Sequence, residues 1–242
     1  MADRDLLHDP EDVQHDHRSI TGGEARAAVF GASDGLVSNV SLVLGVAGAD
    51  IGADAVQVTG LAGLVAGAIS MAAGEWVSMR AQQELLEREL DIERRELERH
   101  PETEAAELAA LYRSRGLDDD SARRLAEAVA ADVDVALDVH AREELGVDPG
   151  SLGAPVRAAA SSFLAFAVGA SLPVLPWFVT EGVAATAASL VLALVGAVVL
   201  GSLLAHYTGR GYVRSAFRQA LIVCVASGLT YLIGAAVGVS VT

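Results

Sequence analysis

Lysine is absent from this sequence of 242 residues, and cysteine occurs once, as Cys224. A single cysteine excludes a disulfide framework and a zinc site built from cysteines. The 17 basic residues are all arginines, and 32 acidic residues leave a net charge of −15. Without a basic surface the chain is not suited to bind nucleic acid, and we expect no such partner.

Charged residues are scarce in five apolar blocks. Each block is long enough, at about 1.5 Å per residue, to cross a hydrocarbon core about 30 Å thick. We therefore predict an all-α, polytopic membrane protein with five transmembrane helices and short turns at 50–54 and 177–182. The blocks cover about 25–49, 55–79, 155–178, 182–206 and 213–239.

Arginines predict the orientation, because the two short turns contain none. The positive-inside rule places the N-terminal tail (1–23) and residues 80–150 in the cytoplasm and the C-terminus on the far side. Trp177 and Phe178 are expected at one membrane interface. The acidic N-terminus is unlike a cleaved signal peptide, and with no compartment signal we expect the plasma membrane.

Residues 80–150 hold 20 acidic residues and ten arginines. We predict three helices there: a continuation of the second block to Arg99, one from Pro101 to Gly116, and one from Asp118 to Gly146. The chain then divides into a flexible cytoplasmic tail, transmembrane helices 1–2, an acidic helical metal-binding module, and transmembrane helices 3–5. Their ranges are 1–23, 24–79, 80–150 and 151–242.

Asp34 lies in the middle of the first block. A carboxylate at this depth is costly, so it normally faces a protein interior or a water-filled path. Met71, in the second block, lies at a similar depth, and Glu75 is one turn nearer the cytoplasm on the same face. A carboxylate, a thioether and a second carboxylate are suited to a borderline divalent cation such as Fe²⁺.

The acidic segment contains a second candidate site, because several acids fall on apolar helix faces. Glu93 interrupts a leucine stripe, and His140 and Glu144 continue a face that begins at Leu125. Converging carboxylates repel one another unless a cation lies between them. A solvated acidic bundle is the alternative. The candidate ligands are Glu93, Glu96, Glu104, Glu107, His140 and Glu144.

The sequence resembles the vacuolar iron transporter family over nearly its whole length. The resemblance rests on motifs in both halves: Gly31-Ala-Ser-Asp-Gly35, Gly67-Ala-Ile-Ser-Met-Ala-Ala-Gly-Glu75, Pro101-Glu-Thr-Glu-Ala-Ala-Glu107, Arg142-Glu-Glu-Leu-Gly146, Gly169-Ala-Ser-Leu-Pro-Val-Leu-Pro176 and Arg214-Ser-Ala-Phe217.

This resemblance implies a homodimer that exports Fe²⁺, and often Mn²⁺, in exchange for protons, along a path between the first helices of its subunits. Asp34 and Met71 match the membrane path of the family. Its acidic module ligands match Glu93, Glu96, Glu104, Glu107 and Glu144. The chain departs from the plant-type members at two places that concern the metal. First, Gly63 stands where they have a glutamate, and Glu75 is a candidate to replace it. The chain also has His140 followed by Ala141 where they have methionines, which makes Mn²⁺ more plausible.

Two other functions remain open, a membrane-anchored protein that oxidises or stores iron and a metal sensor. Helical di-iron oxidases use Glu-x-x-His pairs, and no such spacing occurs here. The sensor would leave Asp34 unexplained. We expect no enzyme activity and no permanent cofactor, with Fe²⁺ or Mn²⁺ as the cargo and protons and lipid as the other partners. His8, His15 and His17 of the tail are assigned no role.

Overall fold

The described parts of the chain, residues 23–149 and 153–241 of a computed structural model, form eight α-helices. A short 3₁₀ turn, Leu175–Phe178, joins the sixth to the seventh. The helices are α1 Gly23–Gly48, α2 Ala53–Arg99, α3 Pro101–Ser114, α4 Asp119–Ala130, α5 Val133–Glu143, α6 Pro155–Ser171, α7 Gly182–Thr208 and α8 Tyr212–Val241.

Four of these helices, α1, α2, α7 and α8, are long and apolar enough to cross a membrane. The protein is therefore a multi-pass membrane protein, as predicted. The third apolar block is shorter than predicted as a helix, because α6 has 17 residues. Pro173 and Pro176 follow it, and since proline lacks the N–H that continues a helix, the block ends in the 3₁₀ turn.

Helix α1 lies at the centre of the membrane part, and glycines let its neighbours approach it closely. A Cβ at Gly31 would lie 2.6 Å from the carbonyl oxygen of Ser162 on α6, and one at Gly35 would overlap the backbone of Phe166. On the other side, Gly48 packs against the backbone of Tyr231 on α8. These glycines pack helices together, whereas Gly74 on α2 faces open space.

Helix α2 continues without a break from the apolar block to Arg99, as predicted. Its 47 residues give a rod about 70 Å long. We call its end, residues 80–99, together with α3, α4 and α5, the acidic module. Each helix of the module buries apolar side chains: Leu97 of α2, Leu108 of α3, Ala126 of α4 and Ala136 of α5, of which Leu108 and Ala126 belong to one packed cluster.

The prediction of one helix from Asp118 to Gly146 was wrong, because the chain breaks at Ala131–Asp132. The carboxylate of Asp132 accepts hydrogen bonds from the backbone N–H groups of Asp134, at 2.9 Å, and Val135, at 3.3 Å. It thus caps a new helix, α5, just as Asp118 caps α4. The face predicted to begin at Leu125 is interrupted, and Leu125 is 42% exposed.

Trp177, predicted at a membrane interface, is buried at one end of the helix bundle. Its side chain is only 4% exposed and packs with Val43, Val56 and Ala185 at the end of the helix bundle. Because the 3₁₀ turn folds back over α1 and α2, Trp177 closes the bundle there, while the neighbouring Phe178 remains exposed.

Candidate metal sites

Asp34 and Met71 line one cavity of about 260 Å³ between α1 and α2. The wall also includes Ser38, Ser70 and the ring of Phe166. On the α2 side, Gly63 and Gly67 have no side chains that would fill the space, and a Cβ at Gly67 would overlap the Phe166 ring. The glycines of α2 therefore leave space for a cavity, and both Asp34 and Met71 line it.

The donors around this cavity include a carboxylate, two hydroxyl groups and a thioether. Ser38 donates its hydroxyl hydrogen to the backbone carbonyl of Asp34 at 2.5 Å, so its oxygen lone pairs remain available. Oxygen donors mixed with one thioether suit a borderline divalent cation better than an alkali ion. Packing alone does not require a carboxylate, hydroxyl groups and a thioether around one cavity.

Glu75 is not among the residues that line this cavity. Its Oε1 atom lies 2.8 Å from Nη2 of Arg26, and its side chain is 11% exposed. This ion pair joins the first turn of α1, which contains Arg26, to the middle of α2, which contains Glu75. Any ion that binds Glu75 must therefore compete with the guanidinium group.

The second group lies in the acidic module, around His140 of α5. His140 is only 1% exposed. Its Nδ1 atom is 3.0 Å from Oε1 of Glu93, 3.2 Å from Oε1 of Glu144 and 3.9 Å from Oε2 of Glu104. Helices α2, α3 and α5 thus each contribute donors to one point, and Glu93, Glu104 and His140 fit the spacing of a metal site.

Two atoms of this cluster lack the hydrogen bonds that burial demands. His140 Nδ1 and Glu93 Oε1 are buried, and neither has a hydrogen-bond partner among the described residues. Adjacent ligands of an octahedral ion, each about 2.1 Å from it, lie about 3.0 Å apart. The separations of 3.0 and 3.2 Å match this spacing. The cluster therefore suits a cation held by oxygens and one imidazole.

The electrostatics of the cluster raise the pKa of two of its carboxyl groups above the ordinary glutamate value. Burial raises the pKa of Glu93, and the negative charges of Glu144, Glu107 and Glu96 raise it further. The pKa of Glu104 is raised by burial and by the charges of Glu107 and Glu93. His140 opposes both shifts without cancelling them. A divalent cation would remove this unfavourable interaction.

The two remaining predicted ligands, Glu96 and Glu107, lie at the edge of the cluster. Glu107 is exposed, as is Glu144 of the cluster, and Glu96 is partly exposed. Glu96 is 3.9 Å from His100 at the end of α2. The structure thus brings four predicted residues together and leaves two as a negative rim. The tail residues His8, His15 and His17 lie outside the described ranges.

Comparison with known proteins identifies the family of this chain. A sequence model of the VIT family matches residues 25–235. The chain is similar to vacuolar iron transporter 1 of Arabidopsis thaliana, with 32% identity over 90% of this chain and 88% of the relative. It is similar to the vacuolar iron transporter of Acanthamoeba castellanii, with 34% identity over 90% of this chain and 81% of the relative. The chain belongs to the VIT family.

A third VIT relative, vacuolar iron transporter homolog 2 of rice (Oryza sativa subsp. japonica), is 37% identical over 86% of this chain and 87% of its own length. The names of these relatives refer to the vacuole and lend no support to the plasma membrane expected for this chain. They do support metal transport, since each is named an iron transporter or its homologue.

One polar residue of the VIT cavity was not predicted from the sequence. Asn39 is buried in α1 and lines the cavity with Asp34 and Met71. It lies five positions after Asp34 in the same apolar run, so the sequence contained the same signal for it, a polar residue among apolar ones. An asparagine in a membrane helix is usually interpreted as a packing residue that bonds a neighbouring helix. The structure shows that it makes such bonds and also faces the cavity.

Proposed function

We propose that the protein is a proton-coupled transporter that exports Fe²⁺ or Mn²⁺ from the cytoplasm. The observation that carries the proposal is that Asp34 and Met71, from two different helices, line one cavity within the membrane part. Membership of the VIT family supports the same function. An anchor or sensor has no need for a mid-membrane carboxylate beside a thioether.

The acidic module is proposed to collect the ion before transport. Glu93, Glu104, His140 and Glu144 form the binding cluster, and Glu96 and Glu107 attract cations to it. In this proposal the ion then passes to Glu75, Met71 and Asp34. Because Arg26 holds Glu75 at 2.8 Å, the approach of an ion must weaken that ion pair.

Proton coupling follows from the chemistry of a carboxylate. One oxygen pair cannot hold a metal ion and a proton equally well, so protonation of Asp34 from the far side would release the ion. Met71 does not titrate and stays a weak, constant ligand. In this proposal Asp34 therefore carries the metal and the proton in turn.

The proposal includes a homodimer, five spans, and the tail and acidic module in the cytoplasm. Helix α6 with the following 3₁₀ turn is the proposed fifth span. The cavity lies between α1 and α2, and in the proposed homodimer a second copy covers it there. The arginine distribution supports the orientation, and the identity of the membrane stays a prediction.

Uptake of Fe²⁺ or Mn²⁺ into proteoliposomes under an imposed pH gradient tests this function. We expect uptake that depends on the gradient and is abolished in Asp34→Asn. The matched control is Asp54→Asn, because Asp54 is an exposed acid at the start of α2. Unchanged uptake in Asp34→Asn would overturn the mechanism. Absence of uptake in the wild type, together with oxidation of Fe²⁺, would favour the iron-oxidising alternative.

A further inference from the structure

Asn39 is the most deeply buried polar residue of the membrane cavity, with 1% of its surface exposed. Its Nδ2 atom donates to two backbone carbonyls on neighbouring helices. The acceptors are Gly60 of α2, at 3.2 Å, and Ala170 of α6, at 2.6 Å. Both amide hydrogens are therefore in use, and the side chain is fixed between three helices.

These two bonds determine which way the amide faces. An amide has a donor end and an acceptor end, and the assignment must come from the partners. Because both partners are carbonyl oxygens, a flipped amide would place its own oxygen against two acceptors. Oδ1 must therefore face the opposite direction, away from Gly60 and Ala170.

In that direction lies Gly63, which also lines the cavity. A Cβ at Gly63 would be 2.6 Å from Leu42 Cδ2 and 2.7 Å from Asn39 Oδ1. Oδ1 is buried and has no hydrogen-bond partner among the described residues. A buried carbonyl oxygen without a partner is unfavourable. Asn39 lines the same cavity as Asp34 and Met71, and its Oδ1 atom, which is buried in this structure, lies beside the cavity-lining Gly63.

We propose that Asn39 Oδ1 is an oxygen ligand of the transported ion in this cavity. The inference rests on the proposed function, since it assumes that an ion enters there. An amide oxygen carries no proton at any working pH, unlike the carboxylate of Asp34. It therefore gives the ion an oxygen contact that protonation does not remove. As a hard donor, it favours Mn²⁺ over ions that prefer sulfur or nitrogen.

Gly63→Ala tests this role without replacing Asn39. The added methyl group would overlap Oδ1 and Leu42 Cδ2, so it blocks an ion from Oδ1 and also displaces the Leu42 side chain. Gly74→Ala is the matched control, because it lies on the same helix with nothing within 4 Å of its Cβ. We expect the KM for Mn²⁺ uptake to rise about tenfold in Gly63→Ala and the KM for Co²⁺ to rise much less, with Gly74→Ala unchanged.

Gly63→Ser distinguishes ligand loss from a packing defect. Its hydroxyl group can donate to Oδ1, which would satisfy the unpartnered oxygen while also occupying it. We expect an unfolding temperature at or above that of Gly63→Ala and a KM for Mn²⁺ that stays high. A wild-type KM in Gly63→Ala or Gly63→Ser, or an equal rise for both metals, would overturn the proposal.

Binding separates failure of this proposal from failure of the transport function. If the wild type takes up neither metal, transport is wrong, and Mn²⁺ binding is measured by electron paramagnetic resonance on the full-length protein in detergent. The His140→Ala background removes a module ligand from this measurement. Weaker binding in Gly63→Ala than in Gly74→Ala would still support Asn39 as a ligand, and equal binding would exclude it.

Discussion

His140 Nδ1 lies 3.0 Å from Glu93 Oε1, yet the two buried atoms form no hydrogen bond with each other. Two ligand atoms of one metal ion lie at such a distance from each other, and both point at the ion rather than at each other. It connects α5 to the end of α2, two helices that are far apart in the sequence. Metal binding at this point would therefore fasten the acidic module to the long helix.

Replacement of His140 by alanine should weaken metal binding to the acidic module by at least about tenfold, since it removes the donor shared by three carboxylates. Isothermal titration of the full-length protein with Mn²⁺ measures this loss. His100→Ala is the control, because His100 is an exposed histidine in the same module. Equal affinity in the two variants would show that the cluster is not the binding site.

The stability of the metal-free module should fall as pH rises above the ordinary glutamate pKa of 4.5. The pKa values of Glu93 and Glu104 are raised in the folded state, so the folded module holds more protons than the unfolded one. Its free energy of unfolding is then highest below this window and decreases as both groups ionise. Saturating Mn²⁺ should reverse the loss.

Hydrogen exchange of residues 101–143 in the full-length protein, corrected for the intrinsic effect of pH, measures this dependence. The variant Glu93→Gln/Glu104→Gln should show a flatter pH profile, because neither side chain can ionise. Protection that increases with pH in the metal-free wild type would contradict the raised pKa values.

Breaking the ion pair between Arg26 and Glu75 should make it easier for an ion to bind Glu75 on its way to the cavity. In Arg26→Ala we expect the KM for uptake to fall by up to about fivefold, the factor that corresponds to an ion pair of about 1 kcal/mol. The double variant Arg26→Ala/Glu75→Gln should lose this gain. Arg157→Ala is the control, because it breaks a similar pair with Glu24. A gain that persists without Glu75 would exclude it from the path.

Gly35→Ala should destabilise the membrane part, because its methyl group would overlap the backbone of Phe166. Overpacking of this kind costs about 1–3 kcal/mol. We expect a lower unfolding temperature in detergent than for Gly74→Ala, whose methyl group meets nothing within 4 Å. Equal unfolding temperatures would show that α1 and α6 can separate at little cost.

The sequence predicted those elements whose signals are local. The unbroken α2, the start of α3 at Pro101 and the cap at Asp118 each depend on a few neighbouring residues, and all were confirmed. The break before α5 was missed because Asp132 is one of several acids in an acidic helix pattern. Only the hydrogen bonds to Asp134 and Val135 distinguish it as a cap.

Site residues could be predicted where a polar residue interrupts an apolar stretch of sequence, because such a residue is expected to be buried. Asp34 in an apolar run and Glu93 in a leucine stripe are such cases. The partner of Glu75 was not visible, because Arg26 is 49 residues away along the chain. The orientation of Asn39 depends on carbonyl groups of α2 and α6, which no sequence pattern reveals.

The length of α2 sets the distance between the two candidate sites. Met71 and Glu93 lie on the same helix, about six turns or roughly 33 Å apart. This distance is several times the Debye length of about 8 Å at physiological ionic strength, so the charges of the acidic module are largely screened at the cavity. In the proposed transport, movement of the ion from the cluster to the cavity is therefore a separate diffusional step, and the rigid helix keeps its length constant.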